Sequence, residues 1–96
     1  MDAQQHVTPI HPGEVLQDEL EELAIAVEIL AEHIQVPLSD ILAICNGQQG
    51  IDAAIAFKLS RALGASPQFW LNLQNNWELS QIDESVYRDI KPVLAA

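Results

Sequence analysis

Two pairs of side chains in this 96-residue chain have residue types and spacing that could do chemistry. His11 and Glu14, at i and i+3, could share a metal ion on one helical face, and His33 with Cys45 could serve as base and nucleophile. Neither set is complete. A zinc site takes four protein ligands, or three with an open position, and no third ligand accompanies His11 and Glu14. Cys45 is the single cysteine, so it has no partner for a disulfide or a thiolate metal site, and nothing else of a hydrolase surrounds it. A helix start explains His11 and Glu14, and an inert core thiol explains Cys45. The sequence therefore predicts no catalytic residue, no metal and no cofactor, and it reads as a binding protein rather than an enzyme.

Binding is where the charge matters. The net charge is −10, and its distribution is uneven. The first 57 residues hold ten acids (Asp2, Glu14, Asp18, Glu19, Glu21, Glu22, Glu28, Glu32, Asp40, Asp52) and no lysine or arginine. All four cations, Lys58, Arg61, Arg88 and Lys91, follow Phe57. A solvated helix face accounts for Asp18, Glu19, Glu21 and Glu22. Their clustering without interleaved cations also makes them a candidate face for a basic partner.

The elements that must position these residues are helices. Apolar residues make up 49% of the chain and mean hydropathy is +0.09, so one packed domain is expected despite the charge. No apolar run reaches the ~20 residues of a membrane span, and Met1 to His6 lack the marks of a signal peptide, so a cytoplasmic protein is the expectation. Pro12 opens a first helix running to about Ala24, with Leu16, Leu20 and Leu23 inward and Glu14 reaching back to the capping residue. A second helix, residues 27–34, turns Leu30, Ala31 and Ile34 inward, and Val36-Pro37 ends the turn after it. A third, residues 38–45, buries Ile41 and Ile44 or Cys45 and stops at Asn46-Gly47, with Gly50 serving the following turn. Asp52 caps a fourth, burying Ala56, Phe57, Leu59 and Leu63 before Gly64. Ser66-Pro67 starts a fifth, whose stripe Phe69, Trp70, Leu73 and Trp77 is expected to fill the core or a dimer seam. The tail adds a partial helix before Pro92.

Several segments, in order, resemble HigA-type antitoxins of toxin–antitoxin modules, which belong to the Cro/repressor-like helix-turn-helix group. They are His11-Pro12-Gly13-Glu14-Val15-Leu16, Asn46-Gly47-Gln48-Gln49-Gly50-Ile51, the run from Leu63 to Gln74, and Lys91-Pro92-Val93-Leu94-Ala95-Ala96. The resemblance implies an all-α fold: a five-helix helix-turn-helix domain over residues 9–82, an N-terminal tail over residues 1–8 and a short C-terminal extension over residues 83–96. It implies a homodimer that neutralises a basic toxin protein and represses its own operon through helices docked in the major groove.

By family position the DNA contacts would fall on Leu38, Ser39, Asp40, Leu42, Ala43, Asn46, Gln48 and Gln49. Of these, only Ser39, Asn46, Gln48 and Gln49 can donate hydrogen bonds to DNA. Val27 and Glu28 stand where a polar side chain often meets a phosphate, Gln35 replaces the usual turn glycine, and Ala26 replaces a usual capping serine or threonine. Counterion release by lysine and arginine supplies most non-specific DNA affinity, and this half of the chain has neither. Two readings stay open: an antitoxin and DNA-binding autorepressor, or a dimeric, acidic protein-interaction module for a basic partner, with DNA binding weak or lost.

Overall fold

A computed structural model describes residues 9–94; the tail at residues 1–8 and the last two residues lie outside it. Among the described residues there are five α-helices, one 3-10 turn and no strand. The helices are α1 (Pro12–Glu22), α2 (Val27–Ile34), α3 (Leu38–Cys45), α4 (Ala53–Leu63) and α5 (Pro67–Ser80), with the 3-10 turn at Glu84–Tyr87. None is long and apolar enough to cross a membrane.

Local chemistry sets the boundaries. Asp52 Oδ1 accepts the Ile55 N–H at 2.9 Å and Ser66 Oγ accepts the Phe69 N–H at 3.1 Å, each satisfying a donor that the helix leaves unpaired. Gly47 and Gly64 take the left-handed conformation that closes α3 and α4. Proline follows the cap in α1 and α5, where its missing N–H is no loss.

The core gathers one stripe from each helix. Leu16, Ile41, Ile44, Leu59 and Trp70 are its most buried large side chains, each contributing roughly 1.5–3 kcal/mol by leaving water. α3 packs between α1 and α2, and α5 lies along α4 and touches α1. The start of α1 meets the end of α3 so closely that a Cβ on Gly13 would fall on the Ile44 carbonyl, so only glycine fits there. Trp70 Nε1 is buried with no acceptor among the described residues.

Two expectations need correction, and the aromatic stripe divides between core and surface. Leu23 is exposed, because α1 ends at Glu22 and Ala24 turns the chain through a left-handed φ of 56°; Ile25 packs against the core instead. Phe57 is 59% exposed, since α4 buries Ala56 and Leu59 and the next position lies about 100° round the helix. The aromatic stripe splits: Trp70 is core, Leu73 and Trp77 are half-buried, and Phe69 is exposed, edge-on to Trp70 at 5.2 Å.

Candidate nucleic-acid interface

The α2–turn–α3 unit is a helix-turn-helix whose turn is held from three sides. Gln35 closes α2 in the left-handed conformation, φ 58°, and the Val36 N–H returns to the Ala31 carbonyl at 3.0 Å. Val36 is buried. Lys58 Nζ, from α4, donates to the Gln35 carbonyl at 3.3 Å. Pro37 then starts α3, with the Asp40 N–H bonded to its carbonyl at 2.9 Å. Gln35 thus does glycine's work at a strain of about 1–2 kcal/mol. Ala26, at the cap of α2, offers no side-chain hydrogen bond.

With Ile41 and Ile44 fully buried, α3 has one face left for solvent. That face carries Ser39, Leu42 and Asn46 at i, i+3 and i+7, with Leu38 one turn before Leu42. Leu38 is 37% exposed and Leu42 43%; Asp40 and Ala43 are half-buried. Leu38, Ser39, Leu42 and Asn46 therefore share one exposed surface, with Asp40 and Ala43 only partly exposed, and its polar content is a hydroxyl, an amide and a carboxylate. Glu28 is exposed at the start of α2, beside the half-buried Val27.

Gln48 and Gln49 sit in the α3–α4 loop, one exposed and the other half-buried. Both backbone N–H groups converge on the Ala43 carbonyl, at 2.8 and 3.2 Å. Two residues on, the Ile51 N–H donates to Gln74 Oε1 of α5 at 2.7 Å, and Gln74 Nε2 donates to Glu78 Oε2, also at 2.7 Å. Gln74 is buried, and a Cβ on Gly50 would meet its amide at 2.7 Å. A side chain at Gly50 would have to displace that amide. Sequence reasoning missed Gln74; its signal is a polar residue on the same α5 face as Trp70 and Trp77, at i+4 and i−3 from them.

The pairs that suggested chemistry are resolved by geometry. His11 caps α1 itself, its Nδ1 accepting the Gly13 N–H at 2.9 Å, while the ring stands edge-on to Trp77 at 4.7 Å. The expected reach-back by Glu14 to the His11 N–H is not formed among the described residues; instead the Glu14 backbone N–H donates to the His11 carbonyl at 3.0 Å. Burial pushes the His11 pKa down, with Glu14 opposing. No group of three or more His, Cys, Asp or Glu is placed to hold a metal among the described residues. His33 and Cys45 line separate grooves. Burial raises the Cys45 pKa, which keeps it a thiol rather than the thiolate a nucleophile needs.

Beside α3 runs a groove of about 260 Å³. Leu20, Ile25, Val27, Leu42 and Cys45 give it apolar walls, and Glu21 marks its α1 side. Asp18 and Glu22 are also exposed on α1, with Glu19 half-buried.

No family model matches the chain. It is 33% identical to antitoxin HigA-1 of Vibrio cholerae over 92 residues, covering 92% of this chain and 87% of that protein. Among solved structures, an addiction module antidote protein of the HigA family from Coxiella burnetii superposes with a TM-score of 0.81 at 34% identity, over 90% of this chain and 99% of its own. The Pseudomonas aeruginosa antitoxin HigA, solved with the higBA promoter, superposes with a TM-score of 0.80 at 37% identity, again over 90% and 99%.

Proposed function

This chain belongs to the HigA-type antitoxins, and on that premise we propose that it is a homodimeric antitoxin and autorepressor that presents α3 to its own operator. The observation that carries the reading is the intact α2–turn–α3 unit with the α3 positions on one exposed face, in a chain similar to an antitoxin solved with promoter DNA. Gln48 and Gln49 can each offer an amide to adenine, Ser39 and Asn46 can bond base edges or phosphate, and Leu42 and Ala43 can meet a thymine methyl. Asp40 and Glu28 oppose the phosphates. Specificity then rests on amides, hydroxyls and apolar contact, and affinity is low because α2 and α3 carry no lysine or arginine.

The dimer forms through the end of α5 and the residues after it. Every described residue from Glu78 to Leu94 is exposed, among them Leu79, Ile82, Val86, Tyr87 and Ile90. A 96-residue domain gains from covering such a surface with a second copy. We assign residues 83–96 to this extension. The toxin is a basic protein attracted by the acidic first half, and the work is cytoplasmic binding rather than catalysis.

Two measurements test the proposal: a gel shift with the DNA upstream of the gene, and co-purification with a small basic chain encoded beside it. Both positive is the expected result. Co-purification without a shift would leave the second reading, an interaction module that has lost DNA, which the outward Leu38 and Leu42 favour. Neither would overturn both readings.

A further inference from the structure

We propose that the groove between α1 and α3 docks a basic amphipathic helix of a protein partner, on the same surface that faces DNA. The inference rests on the antitoxin reading, which supplies a basic partner, and adds where that partner sits and what its seating does to operator binding.

Shape and polarity come first. The groove, about 260 Å³, is walled by Leu20, Ile25, Val27 and Leu42. Leu42 is 43% exposed, and Leu38 extends the apolar strip one turn along α3. A base-reading helix gains little from two leucines, because DNA offers apolar contact only at thymine methyl groups. An amphipathic helix gains a good deal: anchors at i, i+3 or i+4 lie in such a groove and leave water.

Charge selects the occupant. Glu21 lines the groove, Asp18, Glu22 and Glu28 are exposed at neighbouring positions of α1 and α2, and no lysine or arginine occurs before Lys58. An anionic lipid surface or an acidic segment would be repelled. A second copy of this chain offers no excess of cations either, since its residues 1–57 are acidic and residues 58–96 hold four cations against four acids. A helix with leucine-like anchors flanked by lysine or arginine satisfies both the walls and the rim.

Because Leu42 and Asn46 belong to both the groove and the α3 face, a seated helix covers part of the surface that DNA needs. Partner and operator therefore weaken one another by the same factor.

The test titrates the isotope-labelled full chain with a synthetic Leu–Lys amphipathic helix and follows backbone amide shifts. Shifts confined to residues 17–28 and 38–46 are expected, together with an affinity lowered about tenfold by Leu42→Asp, equivalent to about 1.4 kcal/mol. Ile29→Asp, an exposed site outside this groove, should leave the affinity unchanged. Saturating peptide should also release upstream DNA. Shifts spread over the whole acidic surface, or equal affinity for Leu42→Asp and the unmodified chain, would overturn the proposal. The basic chain encoded beside the gene separates the two ideas. If it binds Leu42→Asp as tightly as the unmodified protein, the groove assignment fails and the antitoxin reading stands. If the peptide seats in the groove while the neighbouring chain binds nowhere, the groove stands and the antitoxin reading fails.

Discussion

Gln74 Oε1 accepts the backbone N–H of Ile51 at 2.7 Å, a bond from the middle of α5 to the loop that follows α3. Its amide is in turn held by Glu78 at 2.7 Å, so the orientation is fixed. At its other end the loop is gathered onto the Ala43 carbonyl. The glutamines proposed to read bases are therefore mounted on a loop anchored to α5, the helix whose far end is proposed to hold the dimer.

Replacing Gln74 by Leu fills nearly the same space but leaves the buried Ile51 N–H unpaired. A loss of about 1–3 kcal/mol is expected from chemical denaturation, with faster hydrogen exchange at the Ile51 amide than at core amides of α4. Unchanged stability and exchange would show that the loop is held without this bond.

His11 makes stability pH-dependent. Its folded pKa lies below the ordinary 6.5 because burial disfavours the charged ring, and a proton on Nδ1 would remove the acceptor for the Gly13 N–H. The stabilisation is present above about pH 6.5 and falls away as pH drops through the lowered folded value. His11→Asn keeps a capping oxygen and should flatten melting temperature against pH in this window. An equally steep profile in the variant would assign the dependence to another group.

The helix-turn-helix carries two unfavourable choices that can be reversed. Gln35→Gly relieves the left-handed strain and should stabilise by about 0.5–1 kcal/mol after the extra freedom of glycine in the unfolded chain is set against it. Ala26→Ser supplies the missing cap of α2, worth about 1 kcal/mol. The Lys58 contact uses the Gln35 backbone carbonyl and survives the first change. A lower melting temperature in either variant would contradict this account of the turn.

What the sequence made legible follows the range of the forces involved. The spans of α2 and α3, the caps Asp52 and Ser66 and the stop at Gly64 depend on a few neighbouring residues, and they stand where the sequence places them. Leu23 departs from its expected place because α1 ends before it, and Phe57 because helical spacing finds a stripe without showing how far the neighbouring helices cover it. On α3 the polar positions were legible through the family resemblance. The groove beside them was not, since it exists only where Leu20 and Ile25 arrive against Val27 and Leu42. The Gln74 bond joins residues 23 positions apart, which no local pattern reports.

The dimer should depend on the end of α5 rather than on its tryptophans. Leu79 is 71% exposed and, with Ile82, lines a surface groove of about 350 Å³. Leu79→Asp with Ile82→Asp should give a folded monomer by light scattering, and its melting temperature should lose the concentration dependence expected of the unmodified chain. A dimer that persists in this variant would place the interface elsewhere.

The most direct measurement is the affinity for the upstream operator duplex as a function of salt. A face reading bases through Ser39, Asn46, Gln48 and Gln49, without lysine or arginine before Lys58, should bind its own sequence specifically, with micromolar affinity at about 0.15 M salt, weaker than the usual specific range. Few cationic contacts also mean few released counterions, so log K against log salt should have a slope no steeper than about −3. Gln48→Ala or Gln49→Ala should lower affinity by about 1–3 kcal/mol per lost base contact. Leu38→Arg with Asp40→Arg should tighten binding and steepen the slope. Nanomolar binding with a slope near −6 or steeper in the unmodified chain, insensitive to Gln48 and Gln49, would contradict this reading of the α3 surface, and so would the absence of any sequence-specific binding.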